Sequence, residues 1–426
     1  MQRIIALEVL TSVAENGFSL DELVVSTVEL FQREGMSGLI GLVLGLVDEA
    51  LSLRVQQQPS SRQPAACCDR PAYELQDRLD RRFRTSAGLV SIRWRRLRCR
   101  HCGKSIIPLR EFLGLQTYQS KTAELEKTVM EVVSEQSYRR SSGHLKTIGQ
   151  IPVPKSTAHR WAVQSSCDEL DSGTETFDQL FADGTGYKQR CSKAAGSRNR
   201  GELRIALGVA KTGSVVPLGS WSEKSWEAIA QEIKGRRQEA QPVAEVLVSD
   251  GEIGLSESLA SLCNDHQRCS WHFIRDLNYS LWKDQAPKNQ RDTIQHALIS
   301  MIGIELPKTD YQNVRSQERQ EIEARLRQAQ ADMEHLHDYL RSKGYEQAAG
   351  YVRRGGQNIF TYLERWLKTG LITPRAASMI ERMMREIARR LKRIAFGWSP
   401  EGAAKMTRII IKRFTSAKHW QDYWKK

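Results

Sequence analysis

No stretch of this 426-residue sequence stays apolar for long. The longest run, residues 36–47, is closed by Asp48 and Glu49 and falls short of the roughly 20 residues that span a bilayer. The first ten residues lack a basic region followed by a sustained apolar core, so neither a secretory signal nor a membrane partner is expected. Cysteine is scarce: eight, at positions 67, 68, 99, 102, 167, 191, 263 and 269. A chain of this length buries a core without disulfides, and a reducing cytoplasm is the expected setting, beside the nucleoid if DNA is the partner. No internal repeat is evident, which excludes a repeat array. Acidic residues also run short. Asp and Glu number 50 against 64 Lys and Arg, a formal charge of +14 with a pI near 9.4. That excess favours a polyanionic partner. It is uneven: residues 1–60 hold 3 basic against 8 acidic side chains (net −5), residues 61–160 hold 20 against 9 (+11), and residues 371–426 hold 14 against 4 (+10).

What is present divides the chain into segments. Within an N-terminal segment of residues 1–60, residues 1–55 read as helices, with Ile4, Ile5, Leu7, Val9 and Leu10, then Leu20, Leu23, Val24, Val28, Leu30 and Phe31, near helical spacing. Residues 39–47 are apolar on every side and must be buried, in a helical hairpin or in a self-association surface. A linker over 56–66 follows. Residues 61–118 are strand-rich: 89–98 alternate apolar and basic side chains, and outward-facing Arg93 and Arg95 would meet phosphates. Cys99-Arg-His-Cys102-Gly is a knuckle, and with Cys67-Cys68 upstream four thiolates could make a structural Zn²⁺ site in a zinc-ribbon-like module. Completion by His101 or by only one of the adjacent cysteines stays open, as does a zinc-free β fold.

Residues 119–172 return to helices. Pro152-Val-Pro154 is a breaker before a new helix, which suits a helix-turn-helix with Lys155, Ser156, Thr157, His159 and Arg160 at the groove-facing start and Trp161 in the core. An ordinary capped surface helix is the plainer alternative. Residues 173–286 read as α/β, with strands over 180–190, 203–209, 214–221, 246–249 and 267–271 and helices over 225–236 and 255–262. Residues 287–370 are helical and polar. In 371–426 a strong helix over 375–396 carries Arg382, Arg385, Arg389, Arg390, Lys392 and Arg393.

Three carboxylates stand in telling company. Asp183 lies in Phe-Ala-Asp-Gly-Thr-Gly and Asp250 in Val-Leu-Val-Ser-Asp-Gly, both closing apolar runs; Glu381 sits on the late basic helix. Acids converging from strand ends and a neighbouring helix can hold two divalent cations for phosphoryl transfer. Asp-Gly is also a common turn, and a Glu on a basic helix is usually an ion-pair partner. Glu386 is a rival third acid. Glu252, directly after Asp250-Gly, reads as an exposed strand-exit residue.

The flanks narrow the reading. After Asp250 comes Gln267-Arg-Cys269-Ser-Trp-His272-Phe-Ile-Arg275-Asp. A second acid followed by Cys-x-x-His closely resembles the Mutator-like DDE transposases, including their bacterial insertion-sequence relatives. Asp183-Gly-Thr and Thr373-Pro-Arg-Ala-Ala-Ser-Met-Ile-Glu381-Arg resemble the family's first and third acidic elements, and the resemblance covers roughly 176–396. It implies a multidomain α+β protein: an RNase H-like α/β catalytic domain (173–286, with the helix and basic segment of 371–426) around a mixed five-stranded sheet, an all-α insertion (287–370), and helical, zinc-ribbon-like and helix-turn-helix modules in front. It implies Asp183, Asp250 and Glu381 as catalytic ligands of two Mg²⁺ or Mn²⁺ ions, Cys269 and His272 as motif-supporting residues, Arg382 and Arg385 near phosphate, double-stranded DNA as partner, and a homodimer or larger assembly. A transposase-derived regulator and an RNase H-like nuclease are the alternatives.

Overall fold

Alternating apolar and charged residues build the first sheet. The computed structural model describes residues 24, 28, 35–58, 67–148, 151–165, 170, 175–190, 200–237, 242–394 and 396–425. The helices expected over residues 4–31 (Val24 and Val28 apart, both helical), most of the 56–66 linker, Cys167 and Cys191 lie outside them. The chain forms two compact units, Met1–Ala162 with Gln421–Lys426, and Val163–Trp420.

In the first unit β1 (Tyr73–Thr85) and β2 (Gly88–Cys99) form an antiparallel ribbon, extended by the short β3 (Ser105–Ile106). Val90, Ile92 and Trp94 of β2 point inward; a bulge at Gln76 of β1 shifts the phase, and inward positions resume at Leu97 and Cys99. Helix α1 (Met36–Gln57) lays Ile40, Leu44, Val47, Leu51 and Val55 along this ribbon. Gly41 permits the close approach, since a Cβ there would stand 3.0 Å from Ser91 O. Among the described residues the apolar run is therefore buried on one side only, and its cover is the ribbon together with Leu109 of the short helix at 108–112. Leu39, Leu42, Val43 and Leu46 remain exposed.

Helix α1 is the one described helix long and apolar enough to cross a membrane by length and composition. Its fully buried Asp48 accepts hydrogen bonds from Arg95 N at 3.0 Å and Arg95 Nη1 at 3.1 Å. An acid so placed belongs to a protein-packed face.

After α2 (Pro108–Phe112) come α3 (Ala123–Glu135), α4 (Tyr138–Thr147) and α5 (Lys155–Ser165). Thr122 and Ser137 cap α3 and α4, accepting from Leu125 N and Arg140 N. Leu125, Val129, Met130, Val133, Leu145, Ala158 and Trp161 are buried.

The second unit centres on a five-stranded mixed sheet in the order β6-β5-β4-β7-β8: β4 (Phe177–Lys188), β5 (Arg200–Val209), β6 (Val215–Ser222), β7 (Ala244–Ser249) and β8 (Cys263–Arg268). Neighbours among β4, β5 and β6 are antiparallel; β4–β7 and β7–β8 are parallel. The helices α6 (Trp226–Gly235) and α7 (Ile253–Ala260) bury Trp226, Ile229, Ile233, Leu255 and Leu259 in one core. Helices α8 (Ser270–Lys283), α9 (Lys288–Ile302), α10 (Ser316–Ser342), α11 (Glu346–Gly356) and α12 (Thr361–Thr369) make a separate helical core that includes Phe273, Leu277 and Leu281 of α8. Helices α13 (Ser378–Leu391) and α14 (Pro400–Thr415) return to the sheet, against β4 and β6.

One expected element moves. The strand placed over 267–271 is β8, ending at Arg268, and Trp271 already lies in α8. Six polar-looking residues, Cys-Asn-Asp-His-Gln-Arg, form an edge strand because the helical part satisfies them. Gln267 donates to Ile359 O at 3.0 Å and accepts from Tyr362 N at 2.7 Å, and Thr361 Oγ1 donates to His266 O at 2.8 Å. That cover also closes the sheet edge.

Candidate active site

Register sets the first two acids side by side. The parallel pairing of β4 with β7 runs to Phe181↔Val248. Asp183 and Asp250 each lie two residues further, hence level with one another and on the same face. Asp250 leaves the strand in a tight turn in which its Oδ1 accepts from Glu252 N at 2.9 Å. Gly251 has φ +82°, and a Cβ there would sit 0.7 Å from Arg268 Nη1. Only glycine lets the buried Arg268 pass beneath the turn, where its Nη2 donates to Tyr351 OH at 2.8 Å.

His266, which pattern reading missed, braces the same strand end. It bonds Ser249 Oγ at 2.9 Å and Asn358 Nδ2 at 3.1 Å. Burial and the nearby Arg268 push it down to about 4, so it is neutral at pH 7. A histidine in a polar edge strand carries no sequence signal for that role.

The third acid is delivered by a corner. Cys269 N donates to Ser249 O at 2.8 Å, which holds Cys269 next to Asp250. Ser270 N donates to Arg375 O at 2.8 Å, and Ala377 N donates to Cys269 Sγ at 3.4 Å. Those bonds fix the start of α13, so Glu381 falls in its first turn. His272, three residues from Cys269 and on the same face of α8, has Nδ1 3.2 Å from Cys269 Sγ and 3.7 Å from Glu381 Oε1. The Cys-x-x-His element thus braces β7, α8 and α13 together. Burial and Arg275 hold His272 below its ordinary value, against the pull of Asp250 and Glu381. Glu386, the rival acid, is paired with Arg389 at 2.8 and 2.9 Å.

The electrostatics mark one residue. Burial pushes the Asp183 carboxyl up to about 7, and the negative charges of Asp250, Glu381 and Glu252 add to it, while the Gly184 N–H, 2.7 Å from Oδ1, acts the other way. Glu252 is exposed, as its position suggested, yet its carboxylate joins this field and accepts from Trp226 Nε1 at 3.2 Å. Four acids with too little counter-charge make a place that favours a cation.

Among the described residues two groups of metal-capable side chains close to within 4.8 Å: Cys269–His272–Glu381, and Cys67–Cys68–Cys99–Cys102. Asp183 and Asp250 stand outside the first. In the second, Sγ separations are 3.3 Å (Cys67–Cys102), 3.8 Å (Cys68–Cys99) and 3.9 Å (Cys67–Cys68). Thiolates about 2.3 Å from a tetrahedral ion lie about 3.8 Å apart, so this cluster could hold a metal ion. Both adjacent cysteines take part; His101 is not in the group. The backbone N–H of Cys102 pulls the Cys99 thiol down to about 6, whereas desolvation pushes Cys67 up and Cys68 up to about 12.

A model of the Mutator family of transposases matches residues 76–422. The chain belongs to that family. No curated protein matches it. Among solved structures, the Drosophila P element transposase strand transfer complex is similar at 13% identity and a TM-score of 0.26, over 73% of this chain and 81% of that chain, a likeness too slight to carry an argument.

In this Mutator-family transposase the residues expected to meet DNA divide. Lys155, Ser156, His159 and Arg160 are exposed at the start of α5, with Thr157 half-buried and Trp161 in the core. Arg93 is exposed, 3.7 Å from Asp80. Arg95 is not free: it is the counter-charge of Asp48 and lies 3.3 Å from Glu49. Arg382 and Arg385 are exposed on α13. Arg390, placed on the same basic face by sequence, is instead fully buried with its guanidinium 4.7 Å from the Trp398 ring. The spacing Met383–Ile387–Arg390 is the signal that could have found this.

Proposed function

We propose that this transposase is a DDE enzyme with an RNase H-like catalytic domain, which binds the terminal inverted repeats of an insertion sequence and carries out cleavage and strand transfer. The observation that carries the reading is Asp183, half-buried in the middle of β4 level with Asp250, its carboxyl raised by desolvation and by the charges of Asp250, Glu381 and Glu252. The strand order, with the first acid on the central strand and the second just past the end of the parallel strand beside it, supports an RNase H-like reading. Asp183, Asp250 and Glu381 would hold two Mg²⁺ ions, which when bound supply an activated hydroxyl and charge neutralisation at the scissile phosphate. Cys269 and His272 position Glu381. Lys155, Ser156, Thr157, His159 and Arg160 read the repeat in a major groove, while Arg93, Arg382 and Arg385 meet phosphates. Such binding weakens steeply with salt. The test is labelled terminal-repeat DNA with Mg²⁺. Binding without cleavage would leave a regulator; cleavage without joining or repeat preference would leave a nuclease.

Zinc suits the four thiolates of the β module. Cys102→Ser is expected to lower bound zinc from about one ion per chain to near none, measured by metal analysis. The first unit should also melt earlier, by at least about 5 °C. Full zinc content in that variant would refute the site.

Pairing two transposon ends calls for at least two protomers. The exposed Leu39, Leu42, Val43 and Leu46 of α1 offer a second copy an apolar seam, and the sedimentation mass of the full chain tests it. The place of action on this reading is the cytoplasm, at the nucleoid.

A further inference from the structure

Helix α8 begins at the acidic site and leaves one face uncovered. Phe273, Leu277 and Leu281 are spent on the helical core, whereas Trp271, Tyr279 and Trp282 are 54%, 60% and 64% exposed. At about 100° per residue, Trp271, Arg275, Tyr279 and Trp282 share an arc of about 80°, spread along about 17 Å of helix. The stripe is continuous with the site. Trp271 meets His272 edge-on at 4.8 Å, and His272 reaches Glu381 at 3.7 Å. Arg275, held by Asp276 at 2.6 Å, lies 5.0 Å from the Trp271 ring, and Lys283 is exposed at the far end. Two exposed tryptophans and a tyrosine on one helical face exceed the scattered apolar exposure of an ordinary surface.

We propose that this face of α8 stacks unpaired nucleotides of the DNA strand that leaves the acidic site. The inference rests on the transposase reading and adds a separate subsite to it. Aromatic rings interleaved with a cation stack any base, because every base offers a π-face, and the arginine answers the backbone charge. Paired bases keep their faces hidden in the duplex, so the stripe selects strands that have opened. Its length suits a few stacked bases, and its start beside Glu381 places the first of them next to the scissile position.

The full chain in buffer without added Mg²⁺ or Mn²⁺ and without chelator, so that the cysteine cluster keeps any zinc it holds, is titrated with three labelled oligonucleotides: a paired duplex, the same duplex with a five-nucleotide unpaired tail, and the same tail made abasic. The native protein should favour the unpaired tail over the paired duplex by about tenfold or more, and the abasic tail should lose that preference. Tyr279→Ala and Trp282→Ala, both exposed and so compatible with folding, should each cut the preference at least about fivefold, with affinity for paired duplex unchanged. No preference in the native protein, or equal losses on paired and tailed DNA, would overturn the subsite. So would variants that keep the tail preference but sediment at lower mass, since the stripe then seats a second copy. Native protein that binds and cleaves terminal-repeat DNA in Mg²⁺ without a tail preference removes this inference alone; protein that binds no DNA removes the transposase reading with it.

Discussion

Asp250→Asn is expected to bind terminal-repeat DNA as the native protein does and to lose Mg²⁺-dependent cleavage by at least about 10³-fold. Removing one preorganised hydrogen-bond donor from an active site costs 10² to 10³, and Asp250 would act on more than one step by holding cations that serve both attacking and leaving oxygens. The substitution is mild for the fold. Asn keeps the Oδ1 that accepts from Glu252 N, so the turn over Gly251 and Arg268 should survive. Glu381→Gln should show the same loss, because its carboxylate shares the Asp183 field and is held at His272. Glu386→Gln should stay within a few-fold of native, since that residue is occupied by Arg389. Single-turnover cleavage of labelled repeat DNA separates these outcomes. Native-level cleavage by Asp250→Asn would mean that another carboxylate, Glu252 first among them, does the work.

How much of this was readable beforehand differs element by element. The strands carrying Asp183 and leading to Asp250 were legible because each contains an apolar run that reaches Asp-Gly, and burial on both faces leaves such runs unbroken. The helical character of 287–370 was legible from its polar composition with little strand signal. Strand β8 was placed too late, over 267–271, because its polar residues find their partners about 90 positions later, and no local pattern records that. For the same reason the start of α8 was read as strand. At the site, Cys269 and His272 were visible as a motif, but their function as a brace depends on Ala377 and Arg375 arriving from far along the chain. Arg95 and Arg390 show the opposite failure. Basic residues read as surface were taken inward, one by a buried carboxylate and one by an indole ring.

The charge cost at Asp183 has a consequence for stability. Its carboxyl titrates near 7 in the fold against an ordinary 3.8. Between those values the folded chain holds a proton that the unfolded chain has released, so stability falls as pH rises through the window and the loss is complete above about 7. Three pH units correspond to a penalty on the order of 4 kcal/mol in the metal-free protein. Asp183→Asn removes the ionisation and keeps the acceptor for Gly184 N. The variant should therefore be more stable than the native protein in EDTA at pH 8, by a few kcal/mol, with the difference shrinking as pH falls and gone only below about pH 4. Mg²⁺ should stabilise the native protein at pH 8 and do little for the variant, because a cation repays the carboxylate that burial penalises. Urea unfolding of the second unit at the two pH values, with EDTA and with Mg²⁺, reads all of these differences. A variant no more stable than native at pH 8 in EDTA would show that Asp183 is not the strained acid. A site that gives up stability when empty and regains it with a cation has been shaped by what it binds rather than by what holds the sheet together.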